Sequence, residues 1–421
     1  MIASSGATQV SSPVSPRLNP WIVVALLFVV ACLNYLDRVM LTTMRSSVVA
    51  AIPMTDTQFG LLMSGFLWVY ALMSPVGGFL ADRISRSKVI VWSLFLWSAV
   101  TWMTSRATTF EELLATRILM GFGEACYIPA AVALISDYHR GVTRSLATGI
   151  HMTGVSLGQA LGGLGGVLAE KHEWSYAFSL FGIFGVLYGI LLACILRDAP
   201  PDSVQGPVDV APKVTFFEAI RSLFSSRSYC CALGFWGLLS FASWCIVGWL
   251  PTFWGERFHL SQGTAGLSAT VYLQIAAAAG FLVAGFLSDR ASRGDPWGRL
   301  RVTMIGIAIS APAIFLGSNA TTFWVAVLGF MLWAFGNAFA SSNMMPMLCL
   351  ISDPRYRATG YGILNLCSCT IGGLSTYLGG VVRDRQIGVI VIFNTSVGVI
   401  FLCCVLLYFM KPRQGETSAA Q

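Results

Sequence analysis

The stretch Gly78-Phe-Leu-Ala-Asp82-Arg83-Ile-Ser-Arg86-Ser-Lys88 returns 207 positions later as Gly285-Phe-Leu-Ser-Asp289-Arg290-Ala-Ser-Arg293, each time directly after a long apolar run. One chain therefore carries two copies of one unit. The copying extends further: Arg144, Gly149-Ile150 and Gly165-Gly166-Val167 are answered by Arg357, Gly362-Ile363 and Gly379-Gly380-Val381. Two parallel repeats of this size in an apolar chain are the build of alternating-access carriers, which hold their cargo between the halves.

The apolar character is general. Hydrophobic residues make up 56% of the chain and charged residues 11%, the latter about half the share of a soluble domain. The net charge of +7 does not point to nucleic acid, because the basic residues are dispersed in short loops between apolar runs instead of gathered on one face. The eleven cysteines lie within or at the ends of apolar runs and form neither a CxxC pair nor a metal-ligand spacing with His, so they read as small packing residues. The run after the Ser/Pro-rich start contains Asp37 and Arg38, which argues against a cleaved signal peptide.

Windows of about 20 apolar residues can be placed twelve times, at approximately 21–44, 58–81, 88–106, 110–137, 144–169, 175–196, 229–255, 262–288, 300–317, 321–351, 357–382 and 388–411. The fold class expected is an all-α membrane protein, with twelve transmembrane helices in two pseudo-symmetric six-helix bundles. The expected division is a disordered tail over 1–20, an N-terminal bundle over 21–196, a cytoplasmic linker over 197–228, a C-terminal bundle over 229–411 and a tail over 412–421. In the linker, Phe216, Phe217, Ile220, Leu223 and Phe224 line one side of a helical pattern, the mark of an amphipathic interfacial helix. Placing both termini on one side collects 18 Lys/Arg there against six opposite, which assigns the termini to the cytoplasm. A multi-pass protein of the cytoplasmic membrane is expected, and a monomer.

Four charges fall inside these spans: Asp37, Arg38, Arg117 and Glu124. Each costs roughly 2.5–3.5 kcal/mol on insertion scales, so they require partners or a water-filled cavity. Arg117 and Glu124 are seven apart, which sets them on one face of the fourth span about 10 Å apart. If the first and fourth spans face one another, two acids and two bases form a neutral cluster. A stabilising ion-pair network is one reading. Proton relay through the acids with anion binding by the arginines is the other, favoured because small apolar side chains would join the helices without the insertion cost. Asn34, Tyr35, Tyr70, His151, Gln159, Gln274, Ser341, Ser342, Asn343 and Asn365 are further polar or aromatic groups in apolar spans, each a candidate interhelical bond or cavity contact. Tyr35 stands out beside the charged pair. The duplicated loops, with Gly78, Asp82, Arg83, Arg86, Asp289 and Arg290, read as a latch joining the halves at the cytoplasmic end. Catalytic and cofactor readings find no support: there is no GxSxG, HExxH or GKS/T motif, and the four His are scattered. No metal and no cofactor beyond the proton gradient is expected.

These features together resemble the major facilitator superfamily over essentially the whole chain. Gly78 to Lys88 is similar to its loop signature, with Ser85 where a Gly is usual. Asn34-Tyr-Leu-Asp37-Arg38 with Arg117-x3-Gly121-x-Gly123-Glu124-Ala125 looks like the anion:cation symporters of sugar acids and other carboxylates, and like the spinster-type carriers of lysolipids and sphingolipids. The resemblance implies rocker-switch transport, proton coupling through Asp37 and Glu124, and anion contact through Arg38 and Arg117. Tyr35 and Tyr70 match positions that hold sugar acids, whereas Gly123-Glu-Ala-Cys-Tyr127 and Leu134-Ile-Ser-Asp-Tyr138 lean toward spinster. The symporters' Gln on the fifth span has no counterpart; His151 and Thr153 lie near its place. The expectation is a proton-coupled symporter of an organic anion. A spinster-like carrier of amphiphiles, a uniporter or antiporter without protons, and a non-transporting membrane receptor are the alternatives.

Overall fold

In a bilayer no water is at hand for the peptide groups, so each apolar run closes its hydrogen bonds upon itself and becomes a helix. The structure, a computed structural model, describes residues 18–139, 143–199, 216–293, 295 and 297–410, apart from the side chains of Asp82, Ser145, Phe216, Phe217, Pro354 and Ala358. Both expected tails, residues 200–215 of the linker and the Asp82 side chain therefore lie largely or wholly outside the described residues.

The first half consists of α1 (Pro20–Thr43), α2 (Arg45–Ala51), α3 (Asp56–Arg83), α4 (Arg86–Thr104), α5 (Phe110–Glu124), α6 (Tyr127–Tyr138), α7 (Arg144–Leu161), α8 (Leu164–Lys171) and α9 (Trp174–Ile195). After α10 (Phe216–Ser225) come α11 (Arg227–Phe258), α12 (Gln262–Ala291), α13 (Gly298–Asn319), α14 (Phe323–Ile351), α15 (Arg357–Asp384) and α16 (Val389–Phe409). With α1/α2, α5/α6 and α7/α8 each taken as one interrupted crossing, these make twelve membrane segments. Ten of them are long and apolar enough to cross by that measure alone. The other two are α4, which opens on Arg86 and Lys88, and α15, which is rich in Gly, Ser and Thr. Local signals place the starts: Thr55 and Gln58 form a capping box on α3, Thr109 caps α5 and Ser261 caps α12.

The helix α10 forms where the amphipathic pattern lies. Its Ala219 and Leu223 are buried, and α10 packs against α11 and α15. Part of the apolar face expected to lie on lipid thus covers the C-terminal helices, while Phe224 stays half exposed.

The halves meet along two helix pairs, α3 with α15 and α7/α8 with α12. Hydrogen bonds across these seams run from Thr57–Asp384 to Trp68–Thr370 on one side and from Gly263–Glu170 to Gln274–Gln159 on the other. Both series lie toward the end of the molecule where α3 and α12 begin. At the opposite end, Arg86 pairs with Asp137 and Asp289 with Arg299, each within its own half, and the Arg83 guanidinium lies over the Phe79 ring at 4.3 Å. Arg83, Asp289 and Arg290 are exposed. The molecule is closed at one end and splayed at the other.

The duplicated glycines divide in the same way. A Cβ on Gly380 would stand 2.1 Å from the Asp56 carbonyl oxygen, and one on Gly166 would stand 2.8 Å from those of Gln262 and Thr43. Around Gly78, Gly149, Gly285 and Gly362 a Cβ would meet nothing of the described residues within 4 Å. Gly380→Ala and Gly166→Ala should each cost about 1–3 kcal/mol through overpacking. Gly78→Ala and Gly362→Ala should hold or raise stability by roughly 0.5–1 kcal/mol, the helix propensity gained. Thermal melts of the four variants in one detergent check the contrast, and equal losses at all four positions would contradict it.

Candidate functional site: a buried charge cluster between the halves

Asp37 and Arg38 are consecutive on α1, so their side chains leave the helix about 100° apart and reach different neighbours. Arg38 turns to α5: its Nε and Nη2 donate to Glu124 Oε2 at 3.2 and 2.7 Å. Nη2 also donates to Asn34 Oδ1, one turn back, at 3.3 Å. Glu124 is the last residue of α5, at the break in the fourth crossing, and is wholly buried. Small residues bring it there. A Cβ on Gly121 would lie 2.6 Å from the Phe66 carbonyl oxygen and one on Gly123 would lie 3.2 Å from the Trp97 amide nitrogen, so α5 sits nearly backbone to backbone with α3 and α4.

Three aromatic rings surround the Arg38 guanidinium, with Tyr35, Tyr70 and Phe66 centroids 4.4, 4.5 and 4.9 Å from its central carbon. Each offers a negative face to the cation. Asp37 turns to α4, where Thr101 Oγ1 donates to its Oδ2 at 3.1 Å; its Oδ1 is buried without a partner among the described residues. Arg117 is also buried, and its Nε and Nη2 have no hydrogen-bond partner among the described residues. The Phe178 ring, 5.4 Å away, is its described aromatic neighbour. Arg38 and Arg117 line one cleft together with Thr42, Met63 and Phe66 of the first half and Trp244, Val247, Gly248 and Thr376 of the second. The charged cluster therefore borders the space between the two repeats.

The expected site residues separate on this geometry. Tyr35, Asp37, Arg38, Tyr70, Arg117 and Glu124 gather in or beside the cluster, and Asn365 lies partly buried on α15. His151 and Asn343 do not line the cleft. The Tyr127 hydroxyl donates its one proton to the Leu27 carbonyl at 2.8 Å, so His151 Nε2, 2.9 Å from that oxygen, must be the donor there. This fixes the Nε2–H tautomer and leaves Nδ1 bare inside the first bundle. Asn343 is spent between α12 and α14, where its Nδ2 donates to Ser288 Oγ and the Phe339 carbonyl, both at 2.8 Å. Sequence reasoning missed Thr101, Phe66 and Trp244. Thr101 alone carried a usable signal, a hydroxyl in an apolar span. Among the described residues no group of three or more His, Cys, Asp or Glu side chains is placed to hold a metal ion.

The sequence profile of the Major Facilitator Superfamily matches residues 27–376. The chain belongs to that superfamily. Its relatives include spinster homolog 3 of Danio rerio, 26% identical over 90% of this chain and 79% of the relative. The sphingosine-1-phosphate transporter SPNS2 of Mus musculus is 26% identical over 84% and 68%. A probable L-galactonate transporter of Escherichia coli (strain K12) is 26% identical over 85% and 82%. In fold, the chain is similar to a bacterial homolog of the human lysosomal transporter spinster, solved in an inward-facing, unoccupied conformation. That match has a TM-score of 0.75 at 22% identity and covers 94% of this chain and 96% of that one. This superfamily member is thus a multi-pass membrane transporter and not an enzyme.

Within the cluster, breaking the buried pair from one side leaves a lone charge. Glu124→Ala should cost about 3–5 kcal/mol, whereas Glu124→Ala combined with Arg38→Met should recover much of the loss. Chemical or thermal unfolding in detergent reads this, and additive losses in the double variant would contradict the pairing.

Proposed function

We propose that this transporter is a proton-coupled symporter of an organic anion, with Arg117 as the anion's contact and Asp37 as the proton's. One observation carries the reading: a buried guanidinium on the wall of the cleft with neither an ion pair nor a hydrogen bond among the described residues. Such a group is costly unless something occupies it. Arg presents a planar fork of donors that matches a carboxylate or a phosphate. Arg38, by contrast, is already engaged by Glu124 and the three rings, so it shapes the site and lends positive potential to it.

The proton follows from charge. With Asp37 ionised the four buried charges cancel; with Asp37 protonated one positive charge is left over, and it resides on Arg117. Proton and anion therefore favour each other's binding, and by linkage the coupling is reciprocal. Glu124, held by two bonds from Arg38, is the second acid, freed when a rearrangement releases Arg38. The coupling ion and the cargo then move together because either one alone leaves an unbalanced charge in the membrane interior. In the opposite state the duplicated loops, with Gly78, Asp82, Arg83 and Arg86 answered by Gly285, Asp289 and Arg290, are proposed to close the splayed end. The halves would then rock about the cleft.

The relatives support an anion without choosing its size. Sphingosine-1-phosphate and L-galactonate, named for two of them, share a negative group and differ in the rest. A spinster-like carrier of amphiphiles is the second reading, favoured by the apolar and aromatic wall of Leu62, Met63, Phe66, Leu67, Trp244 and Val247.

A thermal-shift panel of sugar acids and lysolipids on purified protein identifies the ligand, since a binder stabilises by RT ln(1 + [L]/Kd). Uptake of that ligand into proteoliposomes then tests the roles. Arg117→Lys should lose about tenfold or more in apparent affinity, the cost of exchanging a fork for a point charge, on the order of 1.4 kcal/mol or above. Asp37→Asn, a mimic of the protonated form, should retain counterflow while losing acid-driven accumulation. Full accumulation in Asp37→Asn, or full affinity in Arg117→Lys, would sink the assignment.

A further inference from the structure

The duplicated glycines at the closed end belong to a longer repeat whose acidic residues have a use of their own. Gly165-Gly166-Val-Leu-Ala-Glu170 at the end of α8 corresponds to Gly379-Gly380-Val-Val-Arg383-Asp384 at the end of α15. Each acid lies four residues after the second glycine, and each reaches the start of a helix in the other half. Asp384 Oδ1 and Oδ2 accept from the Asp56 and Thr57 amides of α3, both at 2.9 Å. Glu170 Oε2 accepts from the Gly263 amide of α12 at 2.8 Å and from the Ser261 hydroxyl at 3.2 Å. These amides are among the first of each helix, which have no partner within it, and they carry the positive end of the helix dipole.

The helices so capped, α3 and α12, are themselves counterparts in the repeat, each ending in one of the duplicated loops. The interlock therefore obeys the pseudo-symmetry: the first half caps the second through Glu170, and the second caps the first through Asp384. Surrounding contacts are not symmetric. Beside Asp384, Arg383 bridges Asp56 at 3.1 Å and Glu256 at 2.7 Å, and Arg45 also pairs with Asp56. Beside Glu170 the corresponding positions hold Gln262 and Ala169, and Gln262 makes neutral bonds to the Ser47 amide at 3.0 Å and the Ser47 hydroxyl at 2.8 Å. What the two sides share is the glycine that lets the backbones touch and the carboxylate that caps.

We propose that Glu170 and Asp384 form a paired gate, each capping a helix of the opposite half, and that loss of both caps is what lets the cleft open at this end. The basic-residue count assigns this end to the outside. Neither carboxylate touches the charge cluster, so the gate adds to the closed state's stability without taking part in substrate contact. Because the bonds exist only while the halves are joined here, their removal shifts the population of states and not the affinity of the site.

The test is a distance distribution between spin labels at Ala50 and Arg257, exposed positions of the first and second halves at this end, after replacement of the eleven native cysteines. The parent should give a predominantly short distribution. Glu170→Gln and Asp384→Asn, which preserve shape and remove charge, should each enlarge a longer-distance population by about 2- to 5-fold, the range for losing a negative charge at the positive end of a helix dipole. The double variant should enlarge it further, and Asp384→Glu should restore the parent distribution. A folded, monodisperse double variant with the parent's distribution would overturn the gate. If Asp384→Asn is not recovered folded, Glu170→Gln alone decides by the same criterion.

Discussion

The ion pair between Arg38 and Glu124 is the contact on which the rest of the site depends. Two charges in a membrane interior are tolerable only because they meet at 2.7 Å and because the guanidinium is further covered by three aromatic faces. Their meeting goes with the approach of α5 to α3 and α4 at backbone distance, which Gly121 and Gly123 allow, and the fourth crossing breaks just after Glu124. Once that pair is satisfied, the remaining two charges are left with little: a threonine for Asp37 and a ring at some distance for Arg117. The pair thereby engages Arg38 and Glu124 with each other and leaves Asp37 and Arg117 outside any ion pair among the described residues.

That division was only partly legible in the sequence. Four ionisable residues in apolar runs were enough to find the cluster, because insertion cost makes such residues rare. Which arginine takes the glutamate was not readable. Spacing set Arg117 and Glu124 on one helical face, but the contact is made by Arg38, whose orientation on α1 differs by about 100° from that of its neighbour Asp37. That His151 and Asn343 lie away from the cleft was not readable for a related reason. A polar residue in an apolar span gives the same signal whether it faces a cleft or a neighbouring helix, and the partners that bind these two, Tyr127 and Ser288, lie 24 and 55 residues away.

The fold was easier to read. The span expected at 58–81 is observed as Asp56–Arg83 and that at 262–288 as Gln262–Ala291, since hydropathy marks where lipid ends and the capping residues Thr55 and Ser261 mark where each helix begins. Interruptions were not legible. The fourth span was expected unbroken over 110–137, yet it splits into Phe110–Glu124 and Tyr127–Tyr138, because periodicity carries across a two-residue break unchanged. The repeats held more than was first drawn from them: glycines of one set are pressed against backbone at the closed end, whereas those of the other stand free at the splayed end. A molecule that alternates between closures needs two such sets, of which one structure can engage only one.

The central claim is that an anion on Arg117 and a proton on Asp37 bind together, and proton uptake on ligand binding measures it most directly. Purified protein in weak buffer, mixed at a series of pH values with the anion that stabilises it most, should take up protons on binding, with a maximum approaching one per anion bound. Asp37→Asn should bind the same anion and take up none. Anion binding without proton uptake in the parent protein at any pH, or unchanged uptake in Asp37→Asn, would contradict the account.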